Sequence, residues 1–344
     1  MASKSFAQGI RYYLGYYSTE DLGAVLVIST LYRIIESNLF LNFFYILIGV
    51  VTAFGIFKIS KNMMSIKYAF LCALTYSISS FVLWFHASGV KESFMVMIIV
   101  LFFDQYYKYI NKPGIRHLVY AGIFLTSLML FRPAVLFLCS GSVLISFFLM
   151  RKSTLPSIIA ILLLLSIFVF SFSYIEYTSE KYVPGGVKQM IEIKNSSDMA
   201  KLGLRFAYAV NIMAAAFGPF PTLLPNQKPM LSFFSVGLIY RIFISLTFWF
   251  GIYYTYKKRV TIVYPLALFT LMEMSSLVFI LEGLELRKSL PHFPSMFIVS
   301  FWFLYIYNEK TIIEPLLKRC FKIYINLSII VFFFLIILWN LRTI

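Results

Sequence analysis

Apolar runs approaching twenty residues recur along the chain between short polar intervals. Each reads as a helix crossing a bilayer, whose hydrocarbon core takes about 20 helical residues. The runs cover 39–57, 68–85, 94–107, 118–131, 134–150 and 156–174, then, after a long polar interval, 231–254, 260–281, 293–307 and 323–340. The pattern predicts an all-α fold: a polytopic transmembrane helix bundle of about ten spans with one large extracytoplasmic loop. Several runs are shorter than a full span, and these either extend into their flanks or sit at half depth, shielded by protein.

Four regions follow. Residues 1–38 form an N-terminal extracytoplasmic segment, with a tyrosine cluster (Tyr12, Tyr13, Tyr16, Tyr17) and a short interfacial helix in the apolar stretch 22–32. Residues 39–174 and 231–344 are the N- and C-terminal transmembrane bundles, separated by the loop 175–230. Within that loop the apolar stretch 202–217 is closed off by Gly218-Pro219-Phe220-Pro221. It reads as a helix lying at the interface or tucked into the bundle. No internal repeat is visible.

Composition agrees. Of 344 residues, 60% are hydrophobic and only 13% charged, against about 25% charged in soluble domains. The net charge of +16 would suggest nucleic acid in a soluble protein, but here the positions decide. Basic residues gather in alternate loops: Lys58, Lys61 and Lys67; Lys108, Lys112 and Arg116; Arg151 and Lys152; Lys257, Lys258 and Arg259; Lys310, Lys318, Arg319 and Lys322. The positive-inside rule puts these in the cytoplasm of a multi-pass protein, with membrane lipid and not nucleic acid as its partner. No cleavable signal peptide is expected from the N-terminal residues. The three cysteines (Cys72, Cys139, Cys320) are isolated and read as packing residues. The histidines (His86, His117, His292) are scattered and no acidic pair has ligand spacing, so neither a metal site nor another cofactor is expected.

Ionisable residues at membrane depth or on one rim are the best pointers to function, because each is costly unless paired or wet. Around the turn from His86 to Ser93, small residues, a helix N-terminus and Lys91 together describe an anion site suited to phosphate, next to Glu92. In Phe131-Arg132-Pro133, the proline ends one helix and holds a guanidinium at the turn, where it can grip a diphosphate. The run Glu282-Gly-Leu-Glu285-Leu-Arg287-Lys288-Ser-Leu-Pro291-His292 offers carboxylates for a general base, and cations with an imidazole for phosphate contacts. Each has a structural alternative: a solvated turn, an arginine snorkelling to headgroups, a charged surface loop. Arg241 and Glu273 both sit ~12–15 Å below the outer rim at ~1.5 Å per residue, where they suit an intramembrane ion pair, structural or catalytic.

The order of these pieces resembles the bacterial membrane proteins of surface-polysaccharide assembly, the Wzy-type O-antigen and capsule polymerases and the related GT-C glycosyltransferases. The likeness is carried by Ser-Gly-Val-Lys-Glu-Ser (88–93) opening a span, Phe-Arg-Pro (131–133) ending another, Gly-Pro-Phe-Pro (218–221) in the large loop and Glu-Leu-Arg-Lys-Ser-Leu-Pro (285–291) before a late helix. Two features depart from it: Ala216 stands where some polymerase loops place a glycine eleven residues after an arginine such as Arg205, and the N-terminal segment is short. The resemblance implies glycosyl transfer from a polyprenyl-(di)phosphate-linked glycan on the outer face of the bacterial inner membrane, alongside other polysaccharide-assembly proteins. It implies Glu92, Glu282 or Glu285 as the catalytic acid or base. The substrate-binding set is His86, Lys91, Arg132, Arg241, Arg287, Lys288 and His292. A GT-C transferase adding one sugar is the nearest alternative. A flippase of the lipid-linked glycan is the alternative from another class, and it requires polarity through the full depth of several helices, whereas here polarity gathers at one rim.

Overall fold

The computed structural model describes residues 22–150, 204–221, 229–279, 285–309 and 314–341, with isolated helical positions between 151 and 203. Among the described residues the chain is helical and has no strand. The elements are α1 (Leu22–Ile34), α2 (Asn38–Lys61), α3 (Ile66–Ser77), α4 (Ser80–Ala87), α5 (Lys91–Asn111), α6 (Ile115–Ser127) with a 3-10 turn (Leu128–Leu130), α7 (Pro133–Met150), α8 (Leu204–Phe217), α9 (Pro229–Lys258), α10 (Tyr264–Phe279), a 3-10 helix (Leu286–His292), α11 (Phe293–Asn308) and α12 (Pro315–Leu341).

Among the described residues, six helices are long and apolar enough to cross a membrane, or seven if α3 and α4 count as one span. The other expected runs differ as follows. The runs at 118–131 and 134–150 become the short apolar helices Ile115–Leu130 and Pro133–Leu149, and the run 156–174 lies outside the continuously described residues. The run 68–85 is broken, with α3 and α4 meeting at a 61° bend. Serines cause the break: Ser77 Oγ donates back to the Ala73 carbonyl at 2.8 Å, which bends helices, and Ser80 Oγ leaves its own helix to accept from the Gly237 N–H at 3.0 Å.

Helix termini explain the boundaries that are firm. Ser37 caps α2, accepting from the Phe40 N–H at 3.4 Å, and Lys58 and Lys61 complement the dipole in its last turn. α5 begins earlier than its apolar run because Glu92 sits in its first turn and Lys108 in its last, each favourable at that pole. Pro294 opens α11, whose residues 293–303 are all buried. A helix apolar on every side belongs inside, and α11 is the central post, packed on α3, α9 and α10. Its rings interlock with its neighbours: Phe297 with Tyr76 and Tyr240, and Phe303 with Phe250 and Phe321. α12 is the opposite case. Leu327, Ile330, Phe333, Phe334 and Leu338 are exposed on it, as they should be where the surrounding solvent is lipid.

Cross-element bonds gather the basic loops at one end of the bundle. Asn111 Nδ2 donates to Asn62 Oδ1 at 3.3 Å, Tyr107 Oη to the Ile262 carbonyl at 2.8 Å, and Asn308 Nδ2 to Tyr68 Oη at 2.7 Å. At the same end Lys258 pairs with Glu314 and holds that carboxyl below its usual range. Asp104, buried in α5, pairs with Lys108 there.

The close approach of α9 to the α3–α4 bend depends on Gly237, where an added Cβ would meet Ser80 Oγ at 2.5 Å and Phe81 Cδ1 at 2.8 Å. Gly237→Val is predicted to cost about 1–3 kcal/mol by overpacking, read as a lower midpoint of thermal unfolding in detergent. An unchanged midpoint would contradict this packing.

Candidate functional site

At the end of the bundle away from the basic loops, the turn between α4 and α5 carries most of the unusual chemistry. Gly89 has a φ of +71°, and the Tyr45 ring of α2 lies against it, 3.1 Å from where a Cβ would stand. Ser93 Oγ donates to the Phe85 carbonyl at 3.1 Å, closing the turn. Glu92, 2% exposed, follows the opening Lys91. Its Oε1 is 3.2 Å from Arg287 Nε, while its Oε2 is buried without a hydrogen-bond partner. The Tyr45 hydroxyl is close enough to feel the Glu92 charge and also lacks a partner. His86 is buried against Gly49, one helical turn along α2 from Tyr45, and both its ring nitrogens are unpartnered.

The 3-10 helix wedges between α5, α10 and α11 and runs from the surface inward. Glu285 and Lys288 pair at 3.3 Å, Arg287 is 51% exposed, and residues 289–292 are buried. Ser289 Oγ donates to the Leu286 carbonyl at 2.8 Å and accepts from an Arg241 guanidinium nitrogen at 3.1 Å. Arg241 is fully buried. Its other terminal nitrogen donates to the Ala215 carbonyl at 3.3 Å, and its guanidinium carbon is 4.5 Å from the Phe293 ring centroid.

The Ala215 carbonyl belongs to the last turn of α8, where helical carbonyls lack internal partners and a cation is favoured. Trp249 Nε1 donates to the next one, of Ala216, at 3.4 Å. Gly218, at a φ of +95°, ends the helix with its N–H on the Ala214 carbonyl at 2.8 Å. A Cβ there would also stand 2.8 Å from Arg241 Cδ. The Gly-Pro-Phe-Pro sequence therefore ends a helix that is tucked into the bundle, with Ala207, Ala214 and Ala215 buried.

The structure brings Glu92 to Arg287 and Glu285 to Lys288, and sets His292 where the charge of Arg241 reaches it. It does not join Arg241 to Glu273. The cation whose charge reaches Glu273 is Arg132, because α10 turns Glu273 towards α7. Arg132 is half-buried, and Pro133 opens α7 as its first residue where the sequence pattern had it ending the helix before. Lys91 is half-buried at the start of α5, and the anion held beside that helix N-terminus is the chain's own Glu92. Glu282 lies outside the described residues. Tyr45 and Ser289 carry no sequence signal, since a tyrosine in an apolar run and a serine in a charged one are ordinary. Among the described residues no cluster of His, Cys, Asp and Glu could hold a metal ion.

A buried carboxylate with one oxygen held by a guanidinium and the other unpartnered can accept a proton, and the surrounding cations can offset charge on a phosphate. The Glu92–Arg287 contact is predicted to be coupled: in a double-mutant cycle with Glu92→Gln and Arg287→Ala, unfolding free energies should depart from additivity by about 1 kcal/mol. Additivity would mean that the pair is not formed. Arg241→Ala should leave the Ala215 carbonyl of α8 and Ser289 without their shared donor. Limited proteolysis within 204–221 should then be faster than in wild type, whereas an unchanged rate would show that α8 is held by other contacts.

No protein-family model matches the chain, and no curated protein or solved structure is similar enough to it to indicate a family.

Proposed function

We propose that this protein is an integral-membrane glycosyltransferase of bacterial surface-polysaccharide assembly, polymerising polyprenyl-diphosphate-linked repeat units at the extracytoplasmic end of its bundle. The observation that carries the reading is the buried Glu92 carboxylate, paired on one side with Arg287, at the end opposite the basic loops. By the positive-inside rule that end faces outward. The resemblance of residues 88–93, 131–133, 218–221 and 285–291 to polysaccharide polymerases supplies the substrate class.

In this mechanism the acceptor hydroxyl attacks the anomeric carbon of the lipid-linked glycan. The bond from that carbon to the diphosphate oxygen breaks, and the hydroxyl proton passes to a carboxylate. Glu92 is that base, with Glu285 of the neighbouring 3-10 segment and Glu282, outside the described residues, as the other candidate acids. Arg287, Lys288, Lys91 and Arg132 are the cations that stabilise the departing diphosphate as its charge grows. His86, Arg241 and His292 lie buried behind this rim and shape it.

The test is a gel of surface polysaccharide from the source strain after deletion of the gene and complementation, with membrane expression checked. Deletion should leave a single repeat unit on the lipid core, and wild type should restore the ladder. Arg287→Ala should slow chain growth by about 10²-fold, as expected when one transition-state donor is removed, and Glu92→Gln should abolish it. A ladder that persists in the deletion strain would end the polymerase reading. A shortened repeat unit would instead identify a transferase adding one sugar.

A further inference from the structure

At the basic end of the bundle, α9 terminates on an arginine held in a backbone conformation that favours glycine. Arg259 has a φ of +52°, alone among the described non-glycine residues in being positive. The Val260 N–H donates to the Thr255 carbonyl at 3.1 Å and the Arg259 N–H to that of Tyr256 at 3.4 Å. These two bonds make a Schellman termination, whose left-handed residue is usually glycine. A Cβ is strained there. Strain that persists in a fold points to a use for the side chain it carries.

Arg259 stands in a corner made by the basic ends of α9 and α12. The two helices run antiparallel in register: Lys258 pairs with Glu314, just before α12, and eight residues back Phe250 packs on Phe321 and Tyr324. Lys257, Arg259, Arg319 and Lys322 are exposed in this corner, and Lys318 lies half-buried over the Tyr307 ring. Glu309 and Glu314 are the acids of the joining segment among the described residues, and Glu314 is already held by Lys258. Cations therefore outnumber acids here. Tyr253, Tyr256, Leu316 and Ile323 are exposed among them, Tyr256 to 80%. Cations interleaved with rings and aliphatic groups at the ends of membrane helices suit the boundary between headgroups and acyl chains better than they suit a soluble acidic partner.

We propose that this corner binds an anionic phospholipid, with Arg259 gripping the headgroup phosphate, Arg319 and Lys322 adding charge, and Tyr253 and Tyr256 beside the first acyl segments. A guanidinium matches a phosphate bidentately, which gives the strained arginine its use. By the positive-inside rule the lipid belongs to the cytoplasmic leaflet. The site is at the end of the bundle opposite Glu92 and Arg287, and it does not depend on the reaction proposed there.

The test is native mass spectrometry of the full chain, purified in detergent and titrated with phosphatidylglycerol or phosphatidylcholine, together with thermal unfolding. Phosphatidylglycerol should bind at least about tenfold more tightly than phosphatidylcholine. Arg259→Gly should weaken phosphatidylglycerol binding about fivefold, the loss expected for one cation at a lipid surface. The same variant should keep or raise the lipid-free unfolding midpoint, because glycine relieves the strain. A purely structural arginine would not separate these two readouts, and a lower lipid-free midpoint with unchanged lipid binding would overturn its assignment. Arg319→Gln combined with Lys322→Gln should weaken binding about 25-fold and leaves the Arg259 turn intact. Arg116→Gln, exposed on a different basic loop, is the control and should leave binding nearly unchanged. Equal affinity for the two lipids would overturn the proposal and leave the corner to a soluble acidic partner. An equal loss in Arg116→Gln would also overturn it, by showing diffuse attraction to the whole basic end. Displacement of the lipid by glycerol phosphate at the same concentration would reassign the corner to a soluble phosphate.

Discussion

A single guanidinium, that of Arg241, joins its own helix to three further elements. It rises from α9, bonds Ser289 of the 3-10 helix, takes a carbonyl from the end of α8 and stacks on Phe293 at the start of α11. A buried charge is costly without partners, and here its partners are not an acid but the Ser289 hydroxyl and the Ala215 carbonyl. Irregular backbone at membrane depth must find its hydrogen bonds within the protein. For the end of α8 these come from Arg241 on the Ala215 carbonyl, Trp249 on that of Ala216 and the Gly218 N–H on that of Ala214, and Gly218 leaves room for the Arg241 side chain.

Around this centre the bundle is polarised. One end is closed by short neutral ties between loops (Asn62 with Asn111, Tyr107 with Ile262, Tyr68 with Asn308) and carries the basic side chains. The other carries the Glu92–Arg287 pair, with the second Glu92 oxygen, the Tyr45 hydroxyl and the His86 ring nitrogens buried without partners nearby. Between the two ends the first eleven residues of α11 are buried and nearly all apolar.

Much of this was legible in the sequence. Apolar runs against short polar intervals established a helical membrane protein, because lipid leaves the backbone no other way to satisfy itself in a spanning segment. The loop charges separated the two ends, and the run from Glu285 to His292 and the turn from His86 to Ser93 stood out because charge is out of place beside apolar helices. The sequence did not determine which of these groups meet. Glu92 finds Arg287 across nearly two hundred residues, and Glu273 makes no ion pair with Arg241, since pairing depends on which side of each helix packs inward, and uniformly apolar helices carry no periodicity to say so. The break between α3 and α4 and the depth of α8 were likewise decided only in three dimensions, by long-range contacts of Gly237 on Ser80, and of Arg241 and Trp249 on the Ala215 and Ala216 carbonyls, whose partners carry no signal in their own local stretch of chain.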